Sequence, residues 1–152
     1  MIQWTRNNSV ANTFCPAYVN IYDEMTATTY NPLFALTSQS TNKTKYVVSN
    51  GLDLTNKERY VKLQINISST GTDSGASSVI TLGNADFPYG FYDVVIYQNN
   101  SNLNIDPANA IKVIYRTIMN LKAVNNDAIT YTEYTDTISS PTYITNTRCY
   151  VI

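Results

Sequence analysis

The strictest pattern in the chain is the alternation of apolar and polar residues in RYVKLQINIS, residues 59–68. The apolar set is Val61, Leu63, Ile65 and Ile67, and between its members lie Lys62, Gln64 and Asn66. Successive side chains of a strand point to opposite faces of the sheet. The alternation therefore predicts a strand with one face in a hydrophobic core and the other in solvent.

Similar runs recur along the chain, separated by turn signals such as Asn31-Pro32, Asn50-Gly51 and Ser140-Pro141. We expect strands at residues 17–25, 33–38, 45–48, 59–68, 78–82, 90–98, 110–123, 129–134 and 142–147. About nine short strands at this spacing predict an all-β fold, a single antiparallel β-sandwich or a flattened barrel. In the longest run, AIKVIYRTIMNLKA, Ile114 and Ile118 fall on the polar face. There they would meet a second sheet or a neighbouring subunit.

Residues 1–16 show no strand pattern of their own, and we expect them to form an extended N-terminal arm. Residues 17–152 would then be the β-sandwich domain. An arm of this kind gains order only on a partner surface. Deletion of residues 1–14 should accordingly leave a folded domain.

Charge and residue types exclude several classes of function. Charged residues make up 14% of the chain and the net charge is -1, so no basic stripe is present to bind nucleic acid. The chain has no histidine, which removes Ser-His-Asp catalysis and imidazole metal ligands. A carboxylate pair is still open, with these candidates: Asp53, Glu58, Asp86, Asp93, Asp106, Glu133 and Asp136. Because acidic residues spread over a β protein always offer some pair, the presence of these carboxylates is weak evidence for catalysis. We predict that the protein is not an enzyme and has no catalytic residue, cofactor or metal.

Cys15 and Cys149 lie near opposite ends of the chain. The N-terminus MIQWTRNNSV lacks the apolar region of a secretory signal, and no run approaches the roughly 20 apolar residues of a membrane-spanning helix. We therefore expect a protein made in the cytosol, with two free thiols rather than a disulfide and no membrane partner.

Two polar loops could be mistaken for binding sites. GTDSG, residues 71–75, lacks the oxygen spacing of a calcium loop. NSNLNIDP, residues 100–107, is rich in Asn and Asp, which bond to their own turns. We interpret both as connections between strands, and we expect Leu103 and Ile105 to point inward and hold the second loop in place.

Seven segments, in this order, resemble small structural proteins encoded in the virion-gene modules of tailed bacteriophages: LFALTSQST, KERYVKLQINI, ITL, FPYGFYDVVIYQ, SNLNIDP, YTEY and YITN. The resemblance covers roughly residues 30–146 and is most distinctive where FPYGFYDVVIYQ is followed by NIDP. The chain departs from the pattern at Val94, in place of an aromatic residue, and at Gln98-Asn99, in place of Glu-Gln. Neither substitution opposes a strand. The resemblance implies a virion component and carries over no catalytic residues.

Composition and resemblance together predict a protein that works by contact. The first expectation is a capsid-associated auxiliary (decoration or cement) protein that binds major capsid subunits in the virion, assembled in the host cytoplasm. A neck, tail or fibre-base adaptor and a carbohydrate-binding module are the alternatives, and a homo-oligomer is compatible with each. The predicted contact residues are Trp4, Phe14, Tyr18, Tyr22, Tyr143, Ile144, Tyr150, Val151 and Ile152. Aromatic anchors of this type dominate interface energies.

Overall fold

The chain forms a two-layer β structure with one hydrophobic core. The structure is a computed structural model that describes residues 1–7, 10–21, 31–55, 59–68 and 72–123. Its strands are β1 (Ile2–Arg6), β2 (Asn12–Val19), β3 (Leu33–Ser38), β4 (Thr44–Val48), β5 (Asn50–Asp53), β6 (Val61–Ser68), β7 (Val79–Thr81), β8 (Gly90–Gln98) and β9 (Lys112–Ala123). Short 3-10 turns lie at Gly75–Ser77 and Pro107–Asn109, and the described residues contain no α-helix.

Two sheets pack against each other. The five-stranded sheet has the order β1-β9-β8-β3-β4, and the second sheet has the order β2-β6-β5, with β7 paired to β6. The core cluster takes its side chains from both sheets, for example Phe34, Leu36 and Ile96 from the first and Leu63 and Ile65 from the second. The all-β sandwich predicted from the sequence is therefore confirmed. The sheets are mixed rather than purely antiparallel, because β1 runs parallel to β9 and β7 runs parallel to β6.

Individual strands match the expectations to different degrees. β3 and β8 have the predicted bounds, and β6 buries Val61, Leu63 and Ile65 on one face as the alternation requires. β1 and β5 are strands that the sequence pattern did not predict. The strands expected at 129–134 and 142–147 lie outside the described residues.

The prediction of an N-terminal arm is wrong for the part that the structure describes. β1 is an integral strand, with Ile2 opposite Met119 and Trp4 opposite Leu121, and residues 12–16 belong to β2. Trp4 is 2% exposed and lies 6.3 Å from the Phe34 ring, between ring centroids. The physical reason is burial, since enclosing an indole in the core gives far more free energy than leaving it on a mobile segment.

Arg6 fastens the end of β1 to the opposite side of the sandwich. Its guanidinium, in a residue only 8% exposed, donates to the carbonyl oxygens of Leu82 and, at 3.2 Å, Gly83. Gly83 has φ +78, and a Cβ there would lie 2.7 Å from the Arg6 guanidinium and from the Tyr89 ring. The positive φ favours glycine at this crossing point, and a larger residue would also displace the ends of the Arg6 and Tyr89 side chains.

A β-bulge in β9 changes which side chains enter the core. Ile96 pairs with Tyr115 but Tyr97 pairs with Val113, so Ile114 is the extra residue. Ile114 is consequently buried at 7%, while Val113 turns outward and is 37% exposed. One inserted residue reverses the alternation on one side of the bulge. Val113 and Tyr115 therefore face opposite sides of the sheet although they are two residues apart. Of the two isoleucines expected on the polar face, Ile114 lies in the core and Ile118 lies outside, at 44% exposure.

Replacing Trp4 with alanine should destabilise the whole domain. We expect Trp4→Ala to lower the free energy of unfolding by about 3–5 kcal/mol, because a large buried side chain is removed and a cavity remains. Trp4→Phe keeps most of the apolar contact and loses only the indole hydrogen bond. Its free energy of unfolding should therefore fall by less than that of Trp4→Ala. Urea unfolding monitored by circular dichroism measures both. A Trp4→Ala protein as stable as the parent would contradict the burial of Trp4 and would support the N-terminal arm predicted from the sequence.

Candidate interaction surface

The outer face of β2 carries three exposed apolar residues in a row. Cys15, Ala17 and Val19 point into the core, so Phe14, Pro16 and Tyr18 point outward by the two-residue period of a strand. Phe14 is 64% exposed and Tyr18 is 56% exposed. We call Phe14, Pro16 and Tyr18 the β2 surface. It presents apolar rings on a rigid strand, which is the composition of an interface anchor.

Polar side chains of β6 flank the β2 surface. Phe14 lies opposite Asn66, Pro16 opposite Gln64 and Tyr18 opposite Lys62. These β6 residues are half-buried on the outer side of the second sheet. Their amide and ammonium groups give the surface a polar border and supply hydrogen-bond donors close to the rings.

Tyr60 orients the Tyr18 ring. The two rings meet edge to face, with centroids 5.2 Å apart and planes at 86°. Such pairs contribute about 0.5–1.5 kcal/mol beyond the area that they bury. The ring of Tyr18 is therefore partly preorganised before any partner arrives, which lowers the conformational entropy lost on binding.

A small groove adjoins the β2 surface where β1 and β2 approach each other. It has a volume of about 260 Å³ and is lined by Met1, Ile2, Gln3, Pro16, Ala17 and Tyr18. Met1 is 72% exposed at its rim. The volume lies just below the range of about 300–1,000 Å³ usual for small-molecule sites. The groove suits the insertion of one partner side chain better than the enclosure of a substrate.

Pro16 makes β2 a poor template for an added strand. Its carbonyl oxygen accepts a hydrogen bond from Trp4 Nε1 at 2.8 Å, so its backbone faces β1 rather than β6. Proline has no N–H to offer an incoming strand at this position. Natural sheets use edge prolines to block edge-to-edge pairing. Contact with a partner at the β2 surface is thereby directed to side chains.

The predicted contact residues fall into three groups. Phe14 and Tyr18 lie together on the β2 surface, whereas Trp4 is in the core and is not a contact residue in the folded chain. The remaining predicted residues lie outside the described residues: Tyr22, Tyr143, Ile144, Tyr150, Val151 and Ile152. Sequence reasoning missed Pro16 and Tyr60. Pro16 lies two residues from both Phe14 and Tyr18, and this strand spacing could have shown that it shares their face.

The acidic residues considered for catalysis are separately engaged. Asp53 accepts from the Thr55 hydroxyl and backbone N–H, Asp86 pairs with Lys43 at 2.5 Å, Asp93 accepts from Gln39 Nε2 at 2.8 Å and Asp106 accepts from Ala108 N–H at 2.9 Å. The Thr55 hydrogen bonds hold the pKa of Asp53 below its usual value. Glu58, Glu133 and Asp136 lie outside the described residues. Each described carboxylate thus serves a turn or a surface contact.

The loop after β8 is held by asparagines rather than by apolar residues. Asn99 Nδ2 donates to the Asn104 carbonyl oxygen at 2.9 Å, and Asn104 Nδ2 donates to Asn99 Oδ1 at 2.8 Å. Leu103 and Ile105 are 75% and 45% exposed, so the expectation that they point inward is wrong. Paired amides satisfy the buried Asn99 side chain and close the turn.

Asp73, from the GTDSG loop, ties that loop to the five-stranded sheet. It lies 2.6 Å from Lys45 Nζ and accepts the Thr81 N–H at 2.6 Å. Partial burial raises the pKa of Asp73, but the Lys45 and Thr81 hydrogen bonds outweigh it and the pKa is lowered overall. Lys45 also lies 4.6 Å from the centroid of the Phe87 ring. The loop is a structural connection at this point.

The lowered pKa of Asp73 predicts a pH-dependent contribution to stability. The contribution is fully present above the unfolded pKa of about 3.9 and is lost as pH falls through the folded value. Asp73→Asn should therefore be less stable than the parent at pH near 7, by up to about 1 kcal/mol, and the difference should shrink below pH about 4. Urea unfolding at both pH values measures it. Asp86→Asn, which alters an exposed ion pair, is the control, and an equal effect there would contradict the assignment.

Cys15 is a free, buried thiol at 1% exposure, as predicted, and Cys149 lies outside the described residues. Burial raises the pKa of Cys15 to about 12. The nucleophilic thiolate is therefore scarce at neutral pH, and Cys15 has the character of a core residue.

A thiol reagent should label Cys15 only when the domain opens. In a Cys149→Ser background, we expect a disulfide reagent such as Ellman's reagent to modify native protein slowly and unfolded protein at once. The absorbance of the released thiol reports the rate. Rapid stoichiometric labelling of the native protein would show that Cys15 is accessible.

Two further observations concern the described residues alone. They contain no group of three His, Cys, Asp or Glu side chains positioned to hold a metal ion. No helix among them has the length and apolar character needed to cross a membrane.

Comparison of the chain with protein-family models, with curated protein sequences and with solved structures found no match.

Proposed function

We propose that the protein is a non-enzymatic structural component of a tailed-bacteriophage virion, an auxiliary protein that binds major capsid subunits. The exposed β2 surface is the observation that carries the proposal. Phe14 and Tyr18 display aromatic rings on the outside of a sheet whose inner face is fully packed. Exposed aromatics fixed on a rigid element favour a partner protein over solvent.

The fold supports a role that depends on rigidity. Trp4 joins β1 to β2 through its hydrogen bond to Pro16, and Arg6 joins β1 to the turn at Gly83. A surface held in this way changes shape little when a partner binds, so little ordering entropy is lost. Many copies on a shell, each bridging neighbouring subunits, would add modest contacts into a large total stabilisation.

The order of sequence segments supports the virion assignment. Two segments make the resemblance distinctive when they occur together: FPYGFYDVVIYQ contains β8, and NIDP begins at Asn104, the hydrogen-bond partner of Asn99. The proposed partners are accordingly virion proteins, and the proposed location is the particle assembled in the host cytoplasm. A neck, tail or fibre-base adaptor would use the same surface.

Copy number separates the capsid role from the neck or tail role. A shell protein should be present in hundreds of copies per purified particle, whereas a ring adaptor should be present in about a dozen, following the symmetry of its ring. Gel densitometry against the major capsid protein gives the ratio. Absence of the protein from purified particles would contradict both roles.

A carbohydrate-binding module is the second candidate, and the polar border of the β2 surface favours it. Gln64 and Lys62 place hydrogen-bonding groups beside the outward rings of Phe14 and Tyr18. An aromatic platform with adjacent amides is suited to the apolar face and hydroxyl groups of a sugar. Binding of the isolated protein to a glycan array, with no binding to capsid, would favour this candidate over the first.

Removing the rings of the β2 surface should weaken particle binding without unfolding the protein. We expect the double variant Phe14→Ser, Tyr18→Ser to bind capsids lacking the native protein at least about tenfold more weakly, which corresponds to about 1.4 kcal/mol. Its melting temperature should fall by no more than about a few degrees, because both side chains are exposed and the Tyr18–Tyr60 contact is the ring contact that is lost. Sedimentation with particles measures binding. Leu103→Ser, on an exposed loop, is the matched control, and undiminished binding of the double variant would contradict the proposal.

A further inference from the structure

A second exposed patch lies at the centre of the opposite sheet. On the outer face of the five-stranded sheet, β9 presents Arg116 and Ile118, and neighbouring β8 presents Asp93 and Val95. Ile118 is 44% exposed, Val95 is half-buried, and both charged residues are exposed. We call Asp93, Val95, Arg116 and Ile118 the β8–β9 quartet. Ile118 and Val95 form a contiguous apolar strip between two charged residues, and an apolar patch with a polar rim marks an interaction site.

The strand register arranges the quartet as a rectangle. Ile118 lies directly opposite Asp93, and Arg116 lies directly opposite Val95. Residues directly opposite are separated by about 5 Å and diagonal neighbours by about 7–8 Å. The two aliphatic residues therefore occupy one diagonal, and the two opposite charges occupy the other.

The charges of the quartet are not paired with each other within the chain. The ion pairs of the described residues join Lys43 to Asp86 and Lys45 to Asp73, and Asp93 Oδ1 instead accepts the amide of Gln39. A carboxylate has several acceptor positions, so this amide leaves Asp93 able to receive a guanidinium. Arg116 carries a permanent charge with five donors.

We propose that a second copy of this chain docks face to face on the β8–β9 quartet, around a twofold axis that runs along the Val95–Ile118 diagonal. A rotation of this kind turns the partner over and brings Ile118 against Ile118 of the partner subunit. It also exchanges the two ends of the charged diagonal. Asp93 then lies close to Arg116 of the partner subunit, and Arg116 lies close to Asp93 of the partner subunit.

Charge complementarity favours a second copy over an unrelated protein. An isologous interface needs a patch that matches itself, and most soluble oligomers are dimers of this type. A patch with one sign of charge would repel its own copy. The quartet has one charge of each sign on opposite sides of an apolar diagonal, so the dimer makes the Asp93–Arg116 ion pair twice and leaves no charge facing its like.

The surrounding face extends the apolar contact. Phe91, 51% exposed, lies one row beyond Asp93 on β8, and Val113, 37% exposed, lies beyond Arg116 on β9 as a result of the bulge. Towards β3 the side chains of Leu33 and Ala35 are already buried, so the open part of the face lies over β8 and β9. The bulge therefore contributes an outward valine to the same exposed strip as the quartet.

Charge reversal tests the dimer directly. Sedimentation-velocity ultracentrifugation of the full chain should show a concentration-dependent species of twice the 17.0 kDa monomer mass. Asp93→Arg alone places arginine against arginine, and Arg116→Asp alone places aspartate against aspartate. Each single variant should dissociate at least about tenfold more readily than the parent, because each repulsion occurs twice in the dimer.

Mixing the two single variants is the decisive step. In a mixture, each copy of Asp93→Arg faces opposite charges on a copy of Arg116→Asp, so a heterodimer should form where neither variant dimerises alone. The double variant Asp93→Arg, Arg116→Asp should likewise dimerise as the parent does. Circular dichroism confirms that each variant is folded, and the double variant provides a rescue that a folding defect could not produce.

Two results would overturn the proposal. One is a monomeric parent at concentrations up to about 100 µM, well above the dissociation constants of specific dimers. The other is a parental dimer that neither single reversal weakens, since that dimer would use a different face. The Phe14→Ser, Tyr18→Ser variant should dimerise normally. Its particle binding therefore tests the virion proposal, and its sedimentation tests the dimer proposal independently.

Discussion

The indole of Trp4 is the contact on which the rest of the structure depends. It sits in the core near Phe34 of the five-stranded sheet, and its N–H donates to the carbonyl oxygen of Pro16 on the second sheet. One side chain thus satisfies a buried donor, fills the space between the layers and fixes where β2 lies. The outward positions of Phe14 and Tyr18 follow from that placement.

The two faces of the sandwich then take on different characters. The β2 surface has aromatic rings with an amide border, which suits a partner of different composition. The β8–β9 quartet has one charge of each sign about an aliphatic diagonal, which suits its own copy. Because the surfaces lie on opposite sheets, a dimer would leave both β2 surfaces free. A protein built in this way could present two contact sites to a shell from one assembled unit.

Much of the fold could be predicted because alternation is a local signal. The β6 run alternates without ambiguity and its predicted inner face matches the core, whereas β3 and β8 were found from the apolar character of their runs and the turn signals around them, which gave their bounds. β1 could not be found in this way. Its five residues include Arg6, whose inward direction depends on the carbonyl groups of Leu82 and Gly83 more than seventy positions away. A pattern of hydrophobicity counts arginine as a surface residue and misses the strand.

The candidate contact residues were predicted less well for a related reason. Exposure depends on which neighbour covers a side chain, and neither the burial of Trp4 nor the exposure of Leu103 is encoded locally. The bulge at Ile114 is a further case. A single unpaired residue turns Val113 to the outer face of the sheet, yet the alternation of apolar and polar residues in the sequence shows almost no sign of it. The Asn99–Asn104 turn likewise depends on paired amides that hydrophobic patterning does not weigh.

The parallel pairing of β1 with β9 also sets an order of events during synthesis. β1 is synthesised before β9, and because β9 ends at Ala123, the hydrogen bonds between them form only after most of the described chain exists. Contacts so distant along a chain must overcome the entropy of loop closure before they stabilise the structure, and a high proportion of such contacts goes with slow folding. Until the two strands pair, the Trp4 side chain has no enclosed site and the nascent polypeptide keeps an open seam, so β1 leaves the ribosome well before β9 and becomes fixed only when β9 arrives.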